Sequence, residues 1–459
     1  MDADLHIVML TNTDLDGIGL PQPGLGGTGK AEPEATGSSS VPGLASGPTT
    51  LVPGSVTAKA LLRVWSGAAV SVIDSPPGAG KTQLVSEVVS HLVDAARLRV
   101  VIATPTRYQA VSIAHRLVTN VDPAKIEVSI SGLEPGVLPG GLYGGHRSVR
   151  VAPSAVQIRT LRSCEMSPPQ DFDVMVVDEA YQATFASVAA AAAKVPQLLL
   201  VGDPGQIGPV VTVDTSVWER MPDAPHRRAP EVFKSRDDAA CFSIRESYRL
   251  GPRSVAAVAP LYDFEFVSAR PHRTAQLVDG RPLPEIAAIE VAVSDDPDNE
   301  ITMRAVADRA AALVSATLTG PGIDGDGNPV TLAWGATPAD VAVAVSRNSQ
   351  VSIITGLLAE RGLIGDPKAS NITVGTADRL QGGQWPLVVA LDPAAAVGSD
   401  NEYAMSLGRL GVMISRHTHH LTFVSDASWP QVFAGRTNAA VRGAAVRRTL
   451  CRPATGAEQ

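Results

Sequence analysis

Cysteine is scarce: Cys164, Cys241 and Cys451 are the only 3 in 459 residues. They are widely spaced and odd in number, so they supply neither a disulfide framework nor a zinc-ligand spacing, and they suit a reducing compartment. Long apolar runs are missing too. Nothing approaches the roughly 20 residues needed to cross a bilayer, so no membrane is expected among the partners. The opening "MDADLHIVML" carries acids where an export signal would carry positive charge, and a cytoplasmic location is expected. Excess positive charge is also lacking, since 38 Lys and Arg face 46 Asp and Glu for a net charge of −8. A strong, indiscriminate electrostatic grip on nucleic acid is therefore not expected, while a local basic groove is compatible with this charge. Aromatic residues make up 4% of the chain and the 5 Trp are scattered; none is assigned to stacking on a base.

Hydrophobic content of 44% is ordinary for a globular chain, and the length allows two or three domains with real cores. From about Asp14 to Pro53 the sequence is dense in Gly, Pro, Ser and Thr. Such a segment buries too little apolar surface to offset its ordering entropy, so residues 1–53 are expected to be a flexible tail. From Leu51 onward, "AVSVID", "RVVIA", "FDVMVVD" and "QLLLVGD" alternate with segments of helical period. Continuous apolar runs of this kind are strands buried on both faces, and their alternation with helices implies a parallel sheet. One such helix is the Ala-rich "ASVAAAAAKV", read as simple packing. The charged, proline-rich "MPDAPHRRAPEVFKSRDD" marks a boundary near residue 230, after which "AAIEVAVS", "DVAVAVS", "NITVGTA", "PLVVALD" and "HLTFVSD" form a second series. The expected fold class is α/β with two tandem units, at 54–230 and 231–436, followed by a basic tail at 437–459. "EPGVLPGGLYGGHR" and "TGPGIDGDGNP" read as surface turns. The end, "VRGAAVRRTLCRP", reads either as a phosphate-binding helix or as a solvated terminus.

Two stretches resemble a phosphate loop. "PGLGGTGKA" (Pro23 to Ala31) has the spelling but no preceding strand, no following helix, and Ala31 where a hydroxyl is needed. "SPPGAGKT" has Ser75 in place of the first glycine, yet it follows a buried strand and opens a helix with Leu84, Val88 and Leu92 on one face. A phosphate loop works by wrapping backbone N–H groups around phosphates at a helix N-terminus. Ser75, Pro76, Pro77, Gly78, Ala79, Gly80, Lys81 and Thr82 are therefore the candidate nucleotide-binding residues. Lys81 would neutralise the terminal phosphates and Thr82 would hold Mg²⁺. Ser75 is harmless there if its φ is negative. Further on, "VMVVDEA" puts Asp178 and Glu179 at a strand's C-terminal end, where parallel sheets bind ligands. Asp178 suits Mg²⁺ and Glu179 suits activation of water. "VGDPGQIGP" places Asp203 and Gln206 at another strand end, with Gln206 able to sense the γ-phosphate.

The run from "DEAYQ" through "VGDPGQIGPVV" resembles motifs II and III of superfamily 1 helicases, and in particular their up-frameshift branch and its bacterial relatives. "IATPT" is similar to motif Ia, "RESYRLGP" to motif IV, "VGTADRLQGGQWPLVVALD" to motif V and "GRLGVMISRHTHHLTFV" to motif VI. The resemblance spans about residues 55 to 435 in the family's order. It implies two RecA-like domains with ATP and Mg²⁺ in the cleft between them. Arg249 and Arg416 would be delivered by the second domain to the γ-phosphate, joining Glu179 and Gln206 as catalytic residues. Gly382 and Gln384 would lie at the nucleotide. Thr104, Thr106 and Thr376 would touch a single strand of DNA or RNA through its backbone, without sequence preference. The implied activity is ATP hydrolysis coupled to 5′-to-3′ movement.

Two positions depart from the family pattern. Gln384 stands where the family carries a carboxylate near the ribose, and no adenine-reading Gln is apparent upstream of the loop. The chain between Arg249 and Thr376 is expected to be taken up by the second domain's own sheet, leaving a stripped core in which duplex separation is less expected than strand binding. A competing reading makes the chain a nucleotide-gated switch that regulates a protein partner, with the tails as the expected contact. "HTHH" (His417 to His420) reads as local packing rather than a metal site.

Overall fold

A computed structural model describes residues 50–134, 136–144, 155–325, 327–365, 369–395, 405–434 and 437–452. The tail expected before residue 50 and the rejected "PGLGGTGKA" lie outside the described residues.

The first sheet contains β1 (Val70–Asp74), β2 (Val100–Thr104), β3 (Ile126–Val128), β4 (Tyr143–Gly144), β5 (Val156–Thr160), β6 (Val174–Val177), β7 (Gln197–Gly202) and β8 (Ala239–Ser243). Their spatial order is β4-β3-β5-β2-β6-β7-β1-β8, and every pairing is parallel. The apolar runs read as strands are β1, β2, β6 and β7, each buried on both faces. One face packs Val85, Val88 and Leu92 of the Lys81–Asp94 helix; the other packs Met175, Val188 and Phe233. The Ala-rich helix is shorter than the sequence suggests, Phe185–Ala191.

The sheet continues past the boundary expected at residue 230. The Ala229–Lys234 helix buries Ala229 and Phe233 in this core, and β8 then pairs with β1. Its sequence, "AACFS", is an edge strand with Cys241 exposed, so it lacks the continuous apolar run of its neighbours.

Two short parallel strands follow, β9 (Glu246–Ser247) and β10 (Val267–Ser268). An antiparallel sheet then joins β11 (Thr274–Gln276), β12 (Pro282–Leu283), β14 (Thr317–Ile323) and β15 (Pro329–Gly335) in the order β12-β11-β14-β15. Between its strands in sequence lies β13 (Ile286–Val291), which belongs to the second parallel sheet with β16 (Val341–Val345), β17 (Thr373–Thr376), β18 (Trp385–Leu391) and β19 (His417–Asp426), ordered β13-β19-β18-β16-β17. The antiparallel sheet is therefore an appended layer where the sequence suggested only the main sheet. "TGPGIDGDGNP" holds most of β14 as well as the turn.

The C-terminal segment is not a solvated end. Asn438–Leu450 is a helix, and its Arg447 forms a fully buried ion pair with Asp392, 2.6 Å between Nη2 and Oδ1. Phe433 lies 4.1 Å beneath the Arg447 guanidinium. Among the described residues no helix is long and apolar enough to cross a membrane.

Candidate nucleotide site

The order β6-β7-β1 sets the first half of the site. Neighbouring parallel strands bring their C-terminal ends to one edge, so Asp178, Asp203 and the loop 75–80 converge although far apart in sequence. Gly78 and Gly80 take positive φ of +71° and +77°, conformations that only glycine adopts freely. Ser75 is not among the non-glycine residues with positive φ, so serine replaces glycine there without strain. Its hydroxyl donates to the Pro76 carbonyl at 3.1 Å. Gly80 caps the Lys81–Asp94 helix, which leaves the helix's first N–H groups facing the loop's concavity.

Lys81 Nζ lies 3.5 Å from Glu179 Oε1 and 4.0 Å from Asp203 Oδ2. Thr82 is half-buried beside it. Asp178 is 4% exposed, and burial, then the Glu179 charge, pushes its carboxyl up to about 7 against the pull of Lys81. Its Oδ1 is buried with no hydrogen-bond partner. A buried carboxylate oxygen left unmatched is costly unless something arrives to satisfy it. A hydrated divalent cation meets that need, so the residues present fit Mg²⁺. Glu179 has φ +51°, an uncommon left-handed conformation for a non-glycine residue.

The Asp203–Gln206 loop is tied down on every side. Asp203 accepts from Gly205 N at 2.9 Å, Gln206 Nε2 at 2.9 Å and the Tyr262 hydroxyl at 2.8 Å. Gln206 Oε1 accepts from Gln381 Nε2 at 3.3 Å. Arg228 donates to the Pro204 carbonyl at 2.8 Å and the Gln206 carbonyl at 3.0 Å. Sequence reasoning missed Arg228, Tyr262 and Gln381, because a residue that shapes a loop across the fold leaves no local pattern.

Residues beyond the first sheet close over this edge. Ser247 Oγ donates to the Pro77 carbonyl at 2.7 Å, and Tyr248 N donates to the Gly78 carbonyl at 2.9 Å. Arg249 follows, half-buried; its Nε donates to Gln384 Oε1 and its Nη1 to the Ser415 carbonyl, each at 3.2 Å. Arg416 is 2% exposed. Its guanidinium donates to the Val412 carbonyl, the Gly383 carbonyl and Ser415 Oγ, all neutral acceptors. Among the described residues neither arginine has an ion-pair partner. Burial lowers the pKa of both; Arg416 adds to the lowering at Arg249, while Asp203 and Glu179 act on both from across the cleft. Arg416 and Gln384 stand at the N-terminal edges of β19 and β18, and Gly382 has φ +90° in the turn before them. Nucleotide-loop and arginine candidates are thus brought together.

The three threonines are not gathered at the nucleotide. Thr104 is buried and its hydroxyl donates to the Thr106 carbonyl at 2.9 Å, which turns it inward. Thr106 is exposed and caps the Arg107–Leu117 helix in a reciprocal box with Gln109. Thr376 is half-buried at the C-terminal end of β17, the sheet edge opposite that of Gln384. The histidines are packing residues: His417 bonds Ser254 Oγ at 2.6 Å, His419 the Thr319 carbonyl at 3.2 Å and His420 Thr422 Oγ1 at 2.8 Å. Among the described residues no group of three or more His, Cys, Asp or Glu could hold a metal ion.

Residues 58–232 match the family described as an AAA domain. No curated protein matches the chain. Among solved structures, the helicase of PRRSV is 16% identical with a TM-score of 0.40, covering 80% of this chain and 54% of its own. Arterivirus nonstructural protein 10, a helicase, is 15% identical with a TM-score of 0.43, covering 81% and 63%. Its complex with DNA gives 14%, 0.42, 81% and 64%. The chain thus spans between about half and two thirds of the length of these proteins. The AAA-domain match takes in the loop 75–82 and the acids Asp178 and Glu179, and so agrees with a P-loop nucleotide site on the first sheet.

Proposed function

We propose that the chain is a nucleic-acid-dependent ATPase of superfamily 1 helicase type, using Mg-ATP to move along a single strand. The observation that supports this is Arg416: a buried guanidinium at the N-terminal edge of β19, bonded only to neutral acceptors, yet close enough to Asp203 and Glu179 to feel their charge. A buried cation without a counter-ion is expensive. A triphosphate in the cleft would supply the missing charge.

Lys81 and the loop N–H groups would hold the terminal phosphates. Glu179 would orient and deprotonate the attacking water. Gln206, held by Asp203 and Gln381, would position that water. Mg²⁺, when bound by Thr82 and Asp178, would neutralise charge on the phosphate oxygens. Arg249 and Arg416 would stabilise the transition state, a contribution worth ~10³ or more in rate for such arginines. Because they come from the other side of the cleft, hydrolysis would depend on its closure and product release on its opening. A strand crossing the surface near Thr106 and Thr376 would be moved by that cycle.

The finer assignment, to the up-frameshift branch and 5′-to-3′ movement, rests on the spelling of the motifs. ATP turnover measured with and without poly-dT and poly-U tests the reading. Stimulation by either strand supports it; a rate indifferent to both favours a nucleotide-gated switch.

A further inference from the structure

We infer that Gly408 and Gly411 are positioning residues: they seat the Leu407–Ile414 helix directly on the Gly205–Ile207 loop and so fix Arg416 relative to Gln206. The inference rests on the proposed roles of those two residues at the γ-phosphate.

Residues three apart share a helix face, and on this face both residues are glycine. A Cβ on Gly408 would lie 2.6 Å from the Gln206 carbonyl oxygen and 3.1 Å from Ile207 Cα. A Cβ on Gly411 would lie 2.6 Å from the Gly205 carbonyl oxygen and 3.0 Å from Leu261 Cδ1. The obstructing atoms are chiefly backbone, so no side chain can swing aside to admit a methyl group. Neither glycine has positive φ. Helical backbone does not require glycine and in fact disfavours it relative to alanine. Close approach is therefore what glycine supplies at both positions.

The helix transmits its position to Arg416 through short connections. Arg416 lies two residues beyond the helix, and its Nε donates back to the Val412 carbonyl of that helix at 3.2 Å. Its Nη2 donates to Ser415 Oγ at 3.2 Å. On the other side of the joint, Gln206 is fastened to Asp203 at 2.9 Å. A displacement of the loop as Gln206 meets the γ-phosphate would pass through two backbone contacts into the guanidinium. Widening the joint by a methyl group would carry Arg416 away, and displacements of about 1 Å in such constellations cost on the order of a hundredfold in rate.

The test compares Gly408→Ala and Gly411→Ala with Gly356→Ala, a substitution in the Asn348–Glu360 helix where a Cβ meets nothing within 4 Å. Turnover with poly-dT, ATP affinity by titration, melting temperature and the small-angle scattering profile are measured for each. The expected result for Gly408→Ala and Gly411→Ala is a kcat at least tenfold lower, ATP affinity within about threefold of wild type, and a melting temperature lowered by only a few degrees. Their radii of gyration should be larger than that of the wild type, and Gly356→Ala should match the wild type throughout. Unchanged turnover and scattering in Gly411→Ala would overturn the joint, as would a fall in kcat accompanied by an equal collapse of melting temperature. A wild type that neither binds nor cleaves ATP would instead defeat the functional reading, while scattering would still decide whether the joint exists.

Discussion

The Cβ of Arg249 lies over the α-carbon of Gly78: a methyl group built on Gly78 would sit 2.2 Å from that Cβ and 3.1 Å from the Arg249 backbone nitrogen. The segment that delivers the arginine is therefore packed onto the phosphate loop itself. Gly78→Ala adds this collision to the strain of a side chain at φ +71°. ATP affinity should fall at least tenfold. A titration showing wild-type affinity would mean that this contact does not shape the site.

Arg416 offers a sharper test, because its removal should separate catalysis from stability. The guanidinium is buried without a carboxylate partner, so its loss relieves a desolvation cost in the nucleotide-free protein. Arg416→Ala should lower kcat by ~10³ while melting temperature stays level or rises. Arg416→Lys should rescue little, since a point charge does not reproduce a planar fork. Steady-state kinetics and thermal melts on the same preparations check both halves. A destabilised but active variant would refute the assignment.

Gln384 stands where the helicase motif that this stretch resembles carries a carboxylate, and its Oε1 accepts from Arg249 Nε at 3.2 Å. A glutamate there would pair with Arg249 and, in the proposed mechanism, neutralise a charge that the triphosphate would otherwise meet. Charge-assisted hydrogen bonds are worth about 1.5–3 kcal/mol, and ~1.4 kcal/mol is tenfold in rate. Gln384→Glu should therefore slow turnover by about tenfold or more. Were the carboxylate to serve the ribose instead, nucleotide affinity would rise with turnover intact, and the two outcomes differ in sign.

The phosphate loop was legible because its chemistry is local: a strand, two glycines, Lys81 and Thr82 lie within a few residues of one another. Asp178 and Glu179 were legible for the same reason. The roles proposed for Arg249 and Arg416 come only from the resemblance to the helicase motif order, since an isolated arginine in a loop has no periodicity. Arg228, Tyr262, Gly408 and Gly411 escaped because their partners lie across the fold. The antiparallel sheet escaped because Gly320, Pro321 and Gly322 read as a turn. Yet β11 pairs only with Thr317–Thr319 of β14, so Pro321 sits where one edge is free and its missing N–H costs nothing.

The histidines of β19 predict a direction of pH dependence. Burial pushes His419 and His420 down to about 3; Arg273 and Arg270 reinforce this at His419, and at His420 Arg309 does so against the Pro284 carbonyl. His417 is lowered as well, chiefly by burial. The unfolded chain takes up these protons near the ordinary value of ~6.5. Between about pH 6.5 and 3 it binds more protons than the folded chain, so stability falls as pH drops through that window. Denaturant midpoints should decline below pH 6.5, and His419→Gln combined with His420→Gln should flatten the slope. An unchanged slope in the double variant would mean the loss arises elsewhere.

Arg447 and Asp392 decide whether the C-terminal helix belongs to the core around the second parallel sheet. Asp392 accepts from Arg447 Nε at 3.0 Å and 2.9 Å and from Nη2 at 2.6 Å, and also receives Ser425 Oγ at 2.8 Å. Removing the cation strands a buried carboxylate, which costs about 3–5 kcal/mol, whereas replacing both partners by apolar groups is often neutral. Arg447→Ala should thus lower the denaturation free energy by about that amount. Arg447→Met combined with Asp392→Leu should recover much of it, because the helix is also held by Val446 and Leu450 in the apolar core. If Arg447→Ala melts like the wild type, the helix is a loose appendage and the ion pair contributes nothing to the fold. If the double variant is as unstable as the single, geometry rather than charge is what the pair supplies.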